Sequence, residues 1–168
     1  HYRLEPNILW RNDGYRTFYD KADEYGVSGG PVYTAAHTIG SSWGDLDQDG
    51  YIDLFVGNFS HLGQQTPRFL ENLGPGGSYY FQDNSAIANL TWRESFATPS
   101  LGDYDNDGDL DIFLTAVATN FPDDEGVLLR NDGGWVFTEV VSENLIYYAN
   151  YQSTWADYDN DGDLDLLT

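Results

Sequence analysis

The chain of 168 residues contains 28 acidic and 7 basic residues, which gives a formal net charge of −21. This excess of negative charge argues against binding to nucleic acids or insertion into anionic membranes, because both surfaces would repel the chain. With 40% hydrophobic residues, 16% aromatic residues and no cysteine, the sequence favours a folded core that disulfides do not cross-link.

The sequence predicts an array of repeats. Three similar Asp-rich segments begin at Asp45, Asp103 and Asp157, which are 58 and 54 residues apart. A period of this length indicates a repeat architecture rather than three unrelated loops. The predicted units, in chain order, are a half-unit at 1–37, a first repeat at 38–96, a second repeat at 97–150 and a half-unit at 151–168.

Each complete unit is predicted to contain four short strands. The first strand leads into the Asp-rich segment, as at 38–44, and the second leaves it, as at 52–57. The third and fourth strands form a hairpin around an Asn-Asp-Gly or Asn-Leu-Gly turn. The fourth strand is expected at an aromatic stretch in each unit, at 15–19, 79–81 and 135–137.

The second strand of each unit is apolar on both faces, as at 54–56 and 112–114. A strand of this kind is typical of a sheet that is covered on both sides by other sheets. The predicted fold class is therefore all-β, with β-propeller-type four-stranded blades in about three repeat units, two complete and two half-units.

The two ends of the chain carry incomplete units. The chain opens with the third and fourth strands of one unit and closes with the first and second strands of another. Because a propeller has about four to eight blades, we expect either a piece of a longer chain or open halves that pair with other copies into a ring or filament. The start at His1, in a sequence without methionine, likewise suggests a processed product or an excised fragment.

Each Asp-rich segment has the form Asp-x-Asp-x-Asp-Gly-x-x-Asp and is a candidate metal site. We call these segments the first loop (45–53), the second loop (103–111) and the third loop (157–165). Carboxylates at positions 1, 3, 5 and 9 and the main-chain carbonyl at position 7 are the expected ligands. They are Asp45, Asp47, Asp49, Tyr51 and Asp53 in the first loop, Asp103, Asp105, Asp107, Asp109 and Asp111 in the second, and Asp157, Asp159, Asp161, Asp163 and Asp165 in the third.

Hard oxygen ligands in this number suit Ca²⁺, which accepts about six to eight oxygens, whereas zinc prefers His or Cys and magnesium retains more water. An EF-hand would place Glu at position 12, but the residues there are Val56, Leu114 and Thr168. The simpler alternative is that the segments are solvated acidic turns that bind no metal. The recurrence of three segments in register, each between the same two strand types, argues against this alternative. We expect about three Ca²⁺ ions, which would neutralise carboxylates that otherwise oppose folding.

These segments, above all the one that runs from Asp103 to Ile112, resemble the FG-GAP/VCBS repeat family found in integrin-α-like β-propellers. The resemblance covers nearly the whole chain and implies a calcium loop between the first and second strands of each blade. No Phe-Gly and Gly-Ala-Pro motif is present, so the sequence is closer to the VCBS branch than to integrins. Such a resemblance implies architecture far better than activity.

Two N-glycosylation sequons are present, at Asn58 and Asn89, and both fall beside predicted turns. Asn58 follows the strand that leaves the first loop, so a structural role for its side chain is the alternative.

The predicted function is a non-enzymatic, calcium-stabilised extracellular or cell-surface module for adhesion or surface structure, since no nucleophile–base pair is apparent. The alternatives are a fragment of a propeller polysaccharide lyase and a carbohydrate-binding lectin. The expected partners are other copies of the chain or flanking blades of a longer chain, and an extracellular protein or glycan ligand.

Overall fold

The computed structural model describes residues 5–30, 37–59, 65–88, 96–116, 126–140, 145 and 151–168. Apart from a 3₁₀ turn at Pro75–Gly77 and a short helix α1 (Ser85–Ala88), the regular structure of these residues is β. None of the helical segments described is long and apolar enough to cross a membrane. The strands are β1 (Trp10–Asn12), β2 (Phe18–Asp20), β3 (His37–Gly44), β4 (Asp53–Phe59), β5 (Arg68–Asn72), β6 (Phe81–Asp83), β7 (Phe96–Gly102), β8 (Asp111–Ala116), β9 (Val127–Asn131), β10 (Phe137–Val140), β11 (Thr154–Ala156) and β12 (Asp165–Leu167).

The described strands form two complete sheets and two smaller ones. The complete sheets have the strand orders β3-β4-β5-β6 and β7-β8-β9-β10, and β1-β2 and β11-β12 form two-stranded sheets. All neighbouring strands are antiparallel. The prediction of an all-β fold built from four-stranded sheets is confirmed, and this strand order is the one expected of propeller-type blades.

The second strand of each complete sheet is buried along its length. Six consecutive residues of β4, from Asp53 to Asn58, are buried, and so are all six residues of β8. Alternate side chains of a strand point to opposite faces, so continuous burial requires cover on both sides. The double-sided apolar pattern predicted this result correctly.

Two hydrophobic clusters provide that cover for the first complete sheet. Phe55 and Phe69 on one of its faces pack against the second complete sheet, and their ring centroids are 4.7 Å apart. The opposite face packs against the segment that follows β2. The second cluster consists of Ala22, Val27, Leu54, Val56, Leu70 and Phe81, with Leu9 and Tyr25 against it. The sheets are therefore stacked face to face, with aromatic and branched side chains between them.

The fourth strands begin later than the aromatic stretches predicted. They start at Phe18, Phe81 and Phe137, because the first aromatic residue of each stretch adopts the left-handed conformation. In the second complete sheet, Trp135 has a φ of 65° and follows Gly134 at 58°, and β10 begins only at Phe137. A residue with positive φ cannot continue a strand, so the first aromatic side chains belong to the turn.

Neighbouring sheets approach each other closely at the glycine that precedes each of the first two loops. A Cβ atom on Gly44 would lie 2.6 Å from Leu110 Cδ1, and one on Gly102 would lie 2.8 Å from Trp155 Cγ. Both distances are shorter than van der Waals contact, so the absence of a side chain is what allows the next unit to pack there.

Candidate metal sites

Each of the three loops connects the first and second strands of its sheet: β3 to β4, β7 to β8, and β11 to β12. Position 4 adopts the left-handed conformation in all three, with φ values of 61°, 57° and 60° at Gln48, Asn106 and Asn160. The glycine at position 6 follows with φ between 90° and 99° in the three loops. Asn and Gly tolerate these angles best, which explains the Gly at position 6 of all three loops and the Asn at position 4 of the second and third; the first loop has Gln48 there.

The Asp at position 1 organises each loop through its own carboxylate. Both of its oxygens accept backbone N–H groups, one from position 5 and one from position 6. The distances are 3.1 and 2.9 Å for Asp45, 3.1 and 3.0 Å for Asp103, and 3.1 Å for both bonds of Asp157. The same pair of bonds in three loops shows that the loops share one conformation.

The Asp at position 9 is the most buried member of the first two loops. Asp53 and Asp111 have no exposed surface. Asp53 accepts the N–H of Leu46 and that of Asn72, both at 2.8 Å. Desolvation by burial raises the pKa of Asp53 to about 6, although these two hydrogen bonds lower it.

Asp111 repeats this arrangement in the second loop. Its carboxylate accepts N–H groups from Tyr104 at 3.0 Å and Asn131 at 2.8 Å, and burial raises its pKa to about 6. Burial therefore disfavours the ionised form of both carboxylates, and a bound cation would favour it.

Each loop brings three carboxylates together, from positions 1, 3 and 9. Their oxygens lie within 4.8 Å of one another in all three loops, a spacing that could hold a metal ion. The residues are Asp45, Asp47 and Asp53; Asp103, Asp105 and Asp111; and Asp157, Asp159 and Asp165.

The other predicted ligands are arranged differently. The Asp at position 5 is not part of this three-carboxylate group, and its Oδ1 instead accepts the N–H of position 7. These bonds run from Tyr51 to Asp49 (2.8 Å), from Asp109 to Asp107 (2.9 Å) and from Asp163 to Asp161 (3.0 Å). Coordination by position 5 and by the carbonyl of position 7 stays a prediction.

Sequence analysis missed a fifth acidic residue at the first loop. Glu71 on β5 lies with Asp47 and Asp49 in a second group of carboxylates within 4.8 Å. The equivalent residue of the second complete sheet is Arg130, which is paired with Asp132 at 2.7 Å. The difference could have been found by aligning the Asn turns, where Glu71 and Arg130 both precede the Asn.

The donor set fits calcium. All the side-chain groups gathered at the loops are carboxylates, and hard oxygen donors are what Ca²⁺ accepts, whereas zinc sites use nitrogen and sulfur. Among the described carboxyl groups, those with a resolved upward pKa shift all lie in the first two loops: Asp47, Asp53, Asp109 and Asp111. Burial is the largest cause in each case. These are desolvated or crowded negative charges, as expected at a cation site.

Of the two predicted glycosylation sites, only Asn58 lies among the described residues. Asn58 is 1% exposed, and its Nδ2 donates to the carbonyl of Thr66 at 2.8 Å while its Oδ1 accepts the hydroxyl of Thr38 at 2.8 Å. These bonds and the burial favour the structural role of the Asn58 side chain, and its glycosylation stays a prediction. Asn89 lies outside the described residues.

Antiparallel four-stranded sheets with an acidic loop between their first and second strands define a class of β-repeat architecture, and the sequence comparison identifies its family. The chain belongs to the FG-GAP-like repeat family, whose model matches residues 45–114 and 103–168. The predicted family membership is thus confirmed.

Curated relatives align with 96% of the chain. They are cartilage acidic protein 1 of Xenopus tropicalis (28% identical over 167 residues), of Mus musculus (27% over 173) and of Homo sapiens (26% over 167). The chain spans about a quarter of each relative, 24% of its length.

Proposed function

We propose that this chain is a calcium-stabilised, extracellular β-repeat module for adhesion or surface structure, with one ion in each of its three loops. The observation that carries the proposal is the repetition of one geometry. Three loops with the same backbone hydrogen bonds each gather three carboxylates within 4.8 Å. An acidic turn shaped only by solvent would have no reason to recur in this form.

The physical role of the ion follows from charge. Within each loop, the mutual repulsion of the carboxylates and the burial of the position 9 Asp oppose folding. A Ca²⁺ ion held by positions 1, 3 and 9 offsets both costs. We assign the remaining ligands to position 5, directly or through water, and to the carbonyl of position 7.

An extracellular or cell-surface location agrees with the chemistry. Extracellular calcium modules bind with dissociation constants of about 10⁻⁴–10⁻³ M, so they fill where calcium is millimolar. The relatives are named for cartilage and for acidity, and this chain shares the second property, with its formal charge of −21.

The proposed partners are flanking blades of a longer chain or other copies of this one. Among the described strands, β1 pairs only with β2, and β12 only with β11, which leaves one free edge on each. Beside β1 lies a groove of about 450 Å³, and its lining includes four half-exposed apolar side chains: Ile8, Trp10, Ile39 and Trp43. A further strand on this edge would satisfy the backbone and cover these side chains.

Calorimetric titration of the calcium-free chain tests the metal assignment. We expect three ions per chain. Asp105→Asn and Asp159→Asn, which change exposed carboxylates in two different loops, should each remove one ion. The control Asp23→Asn changes an exposed carboxylate outside the loops and should leave the stoichiometry at three. The proposal would be rejected if the chain gave no heat of binding, or if the two loop variants bound as many ions as the unaltered chain.

A particle-mass measurement tests the partners separately. Light scattering in calcium should give a mass that rises with concentration if copies pair through β1 and β12. A constant monomer mass would leave flanking blades as the partner.

A further inference from the structure

We propose that the first and second loops bind calcium cooperatively, because Asn131 and Gln48 join them into one hydrogen-bonded unit. This inference rests on the proposed function, that the loops bind calcium, and adds how they are coupled.

Asn131, at the end of β9, contacts both loops from a fully buried position. Its backbone N–H donates to Oδ1 of Asp111, at position 9 of the second loop, at 2.8 Å. Its side-chain Nδ2 donates to the carbonyl of Leu46, at position 2 of the first loop, at 2.8 Å, and to that of Leu110 at 3.2 Å. Movement of either loop therefore displaces a group that the other loop needs.

Gln48, at position 4 of the first loop, provides a second link to the second loop. Its Nε2 donates to the carbonyl of Gly108 at 2.9 Å and to the carboxylate of Asp109. The next junction repeats the pattern, since Asn106 Nδ2 donates to Asp163 Oδ1 at 3.0 Å. In both cases position 4 of one loop contacts position 7 of the next, the position whose carbonyl is an expected ligand.

Trp135 extends the connection and supplies a reporter. It belongs to the turn between β9 and β10 of the second complete sheet, is 6% exposed, and donates from Nε1 to Asp47 Oδ2 at 3.2 Å. Asp47 is one of the three gathered carboxylates of the first loop. The fluorescence of a buried Trp in contact with a ligand carboxylate should change when that loop fills.

The coupling has a simple thermodynamic origin. An ion that orders one loop also fixes Asn131, Gln48 and Trp135, so the adjacent loop loses less conformational freedom when its own ion binds. Coupling between sites is reciprocal, so emptying the second loop must weaken the first by the same factor.

Fluorescence titration with calcium tests this inference on the whole chain. The Trp135→Phe variant identifies the part of the signal that reports the first loop. In Asp105→Asn, which disables the second loop without touching the first, the dissociation constant of the first loop should rise about fivefold or more. Gln48→Ala should also raise the dissociation constant of the first loop, although all expected ligands are intact. The control Gln152→Ala, which changes an exposed amide outside the loops, should leave this constant unchanged.

Two results would overturn the inference, and they are distinguishable. If calorimetry shows calcium in both loops of the unaltered chain but the first-loop constant is the same in Asp105→Asn, the loops are independent and only the coupling is wrong. If the unaltered chain takes up no calcium at all, the proposed function fails and the coupling with it.

Discussion

Removal of calcium should destabilise this chain as a whole rather than one loop of it. The three loops lie at the ends of β3, β7 and β11, and each holds three carboxylates within 4.8 Å. The two buried carboxylates of the described residues, Asp53 and Asp111, also accept backbone hydrogen bonds from the third strands of their sheets. Loss of the ions therefore acts on the strands that form the core as well as on the loops.

The size of the effect follows from mass action. At 2 mM calcium and a dissociation constant of about 10⁻⁴–10⁻³ M, each site contributes roughly 0.6 to 1.8 kcal/mol to the free energy of unfolding. Three independent sites would contribute about 2 to 5 kcal/mol, a large part of the roughly 5 to 15 kcal/mol that stabilises a typical domain. For a chain of this size, the melting temperature should fall by about 5 to 20 °C.

The assay is thermal unfolding followed by circular dichroism at constant ionic strength, in 2 mM calcium, in 2 mM magnesium and in excess EGTA. Magnesium provides the control, because it screens charge as well as calcium does but prefers a tighter octahedral shell. A melting temperature that is the same in calcium and EGTA would refute the reasoning. Equal stabilisation by magnesium would show that the screening of negative charge, and not a specific calcium site, raises the melting temperature.

Two substitutions test the surroundings of the loops. Glu71→Gln should weaken calcium binding at the first loop by about 1 kcal/mol, or roughly fivefold, because it removes a charge beside two loop carboxylates. The Trp135 fluorescence titration measures the dissociation constant. An unchanged dissociation constant would show that Glu71 does not face the ion. Gly102→Ala should lower the free energy of unfolding by about 1 to 3 kcal/mol, because the new Cβ would lie 2.8 Å from Trp155. Gly76→Ala is its control, since a Cβ there meets nothing within 4 Å, and equal urea midpoints for the two variants would contradict the close approach.

The strand order and the loops could be predicted because they repeat within the sequence. The motif at Asp45, Asp103 and Asp157 fixed the positions of the loops, and the apolar run at 54–56 indicated a strand covered on both faces. The starts of the fourth strands could not be predicted. Aromatic residues favour strands in general, but the turn before β10 requires positive φ at Trp135, and the tertiary contact of its indole with Asp47 holds it there.

Contacts between units left no comparable signal in the sequence. Asn131 was recognised only as a turn residue, and its side chain does bond locally, accepting the N–H of Gly133 at 3.0 Å. Its side-chain bond to the carbonyl of Leu46 depends on how two sheets stack, which a pattern within one unit does not encode. For the same reason, the sequence did not show that the Asn58 side chain is buried, with hydrogen bonds to Thr38 and Thr66.

The Asp loop and the Asn turn, which the sequence shows as separate motifs, are joined by a hydrogen bond in each complete sheet. The Asn that opens the turn closes over the position 9 Asp of its own sheet, as Asn72 does for Asp53. In the described part of the chain, Asp165 of the third loop accepts one N–H, from Tyr158 (3.2 Å), and it is half-buried. In the polypeptide of 168 residues, the carboxylate of Asp165 has less desolvation to offset and one hydrogen bond fewer than Asp53 or Asp111, so the third loop should bind calcium most weakly of the three. Asn12, at the end of β1, occupies the equivalent turn position in the half-unit at the start of the chain. A third strand like β1, paired with the free edge of β12, would therefore complete the third loop's site. In the calorimetric titration, the weakest binding step should accordingly be the one that Asp159→Asn removes, and loss of a tighter step instead would show that the Asn turn contributes nothing to affinity.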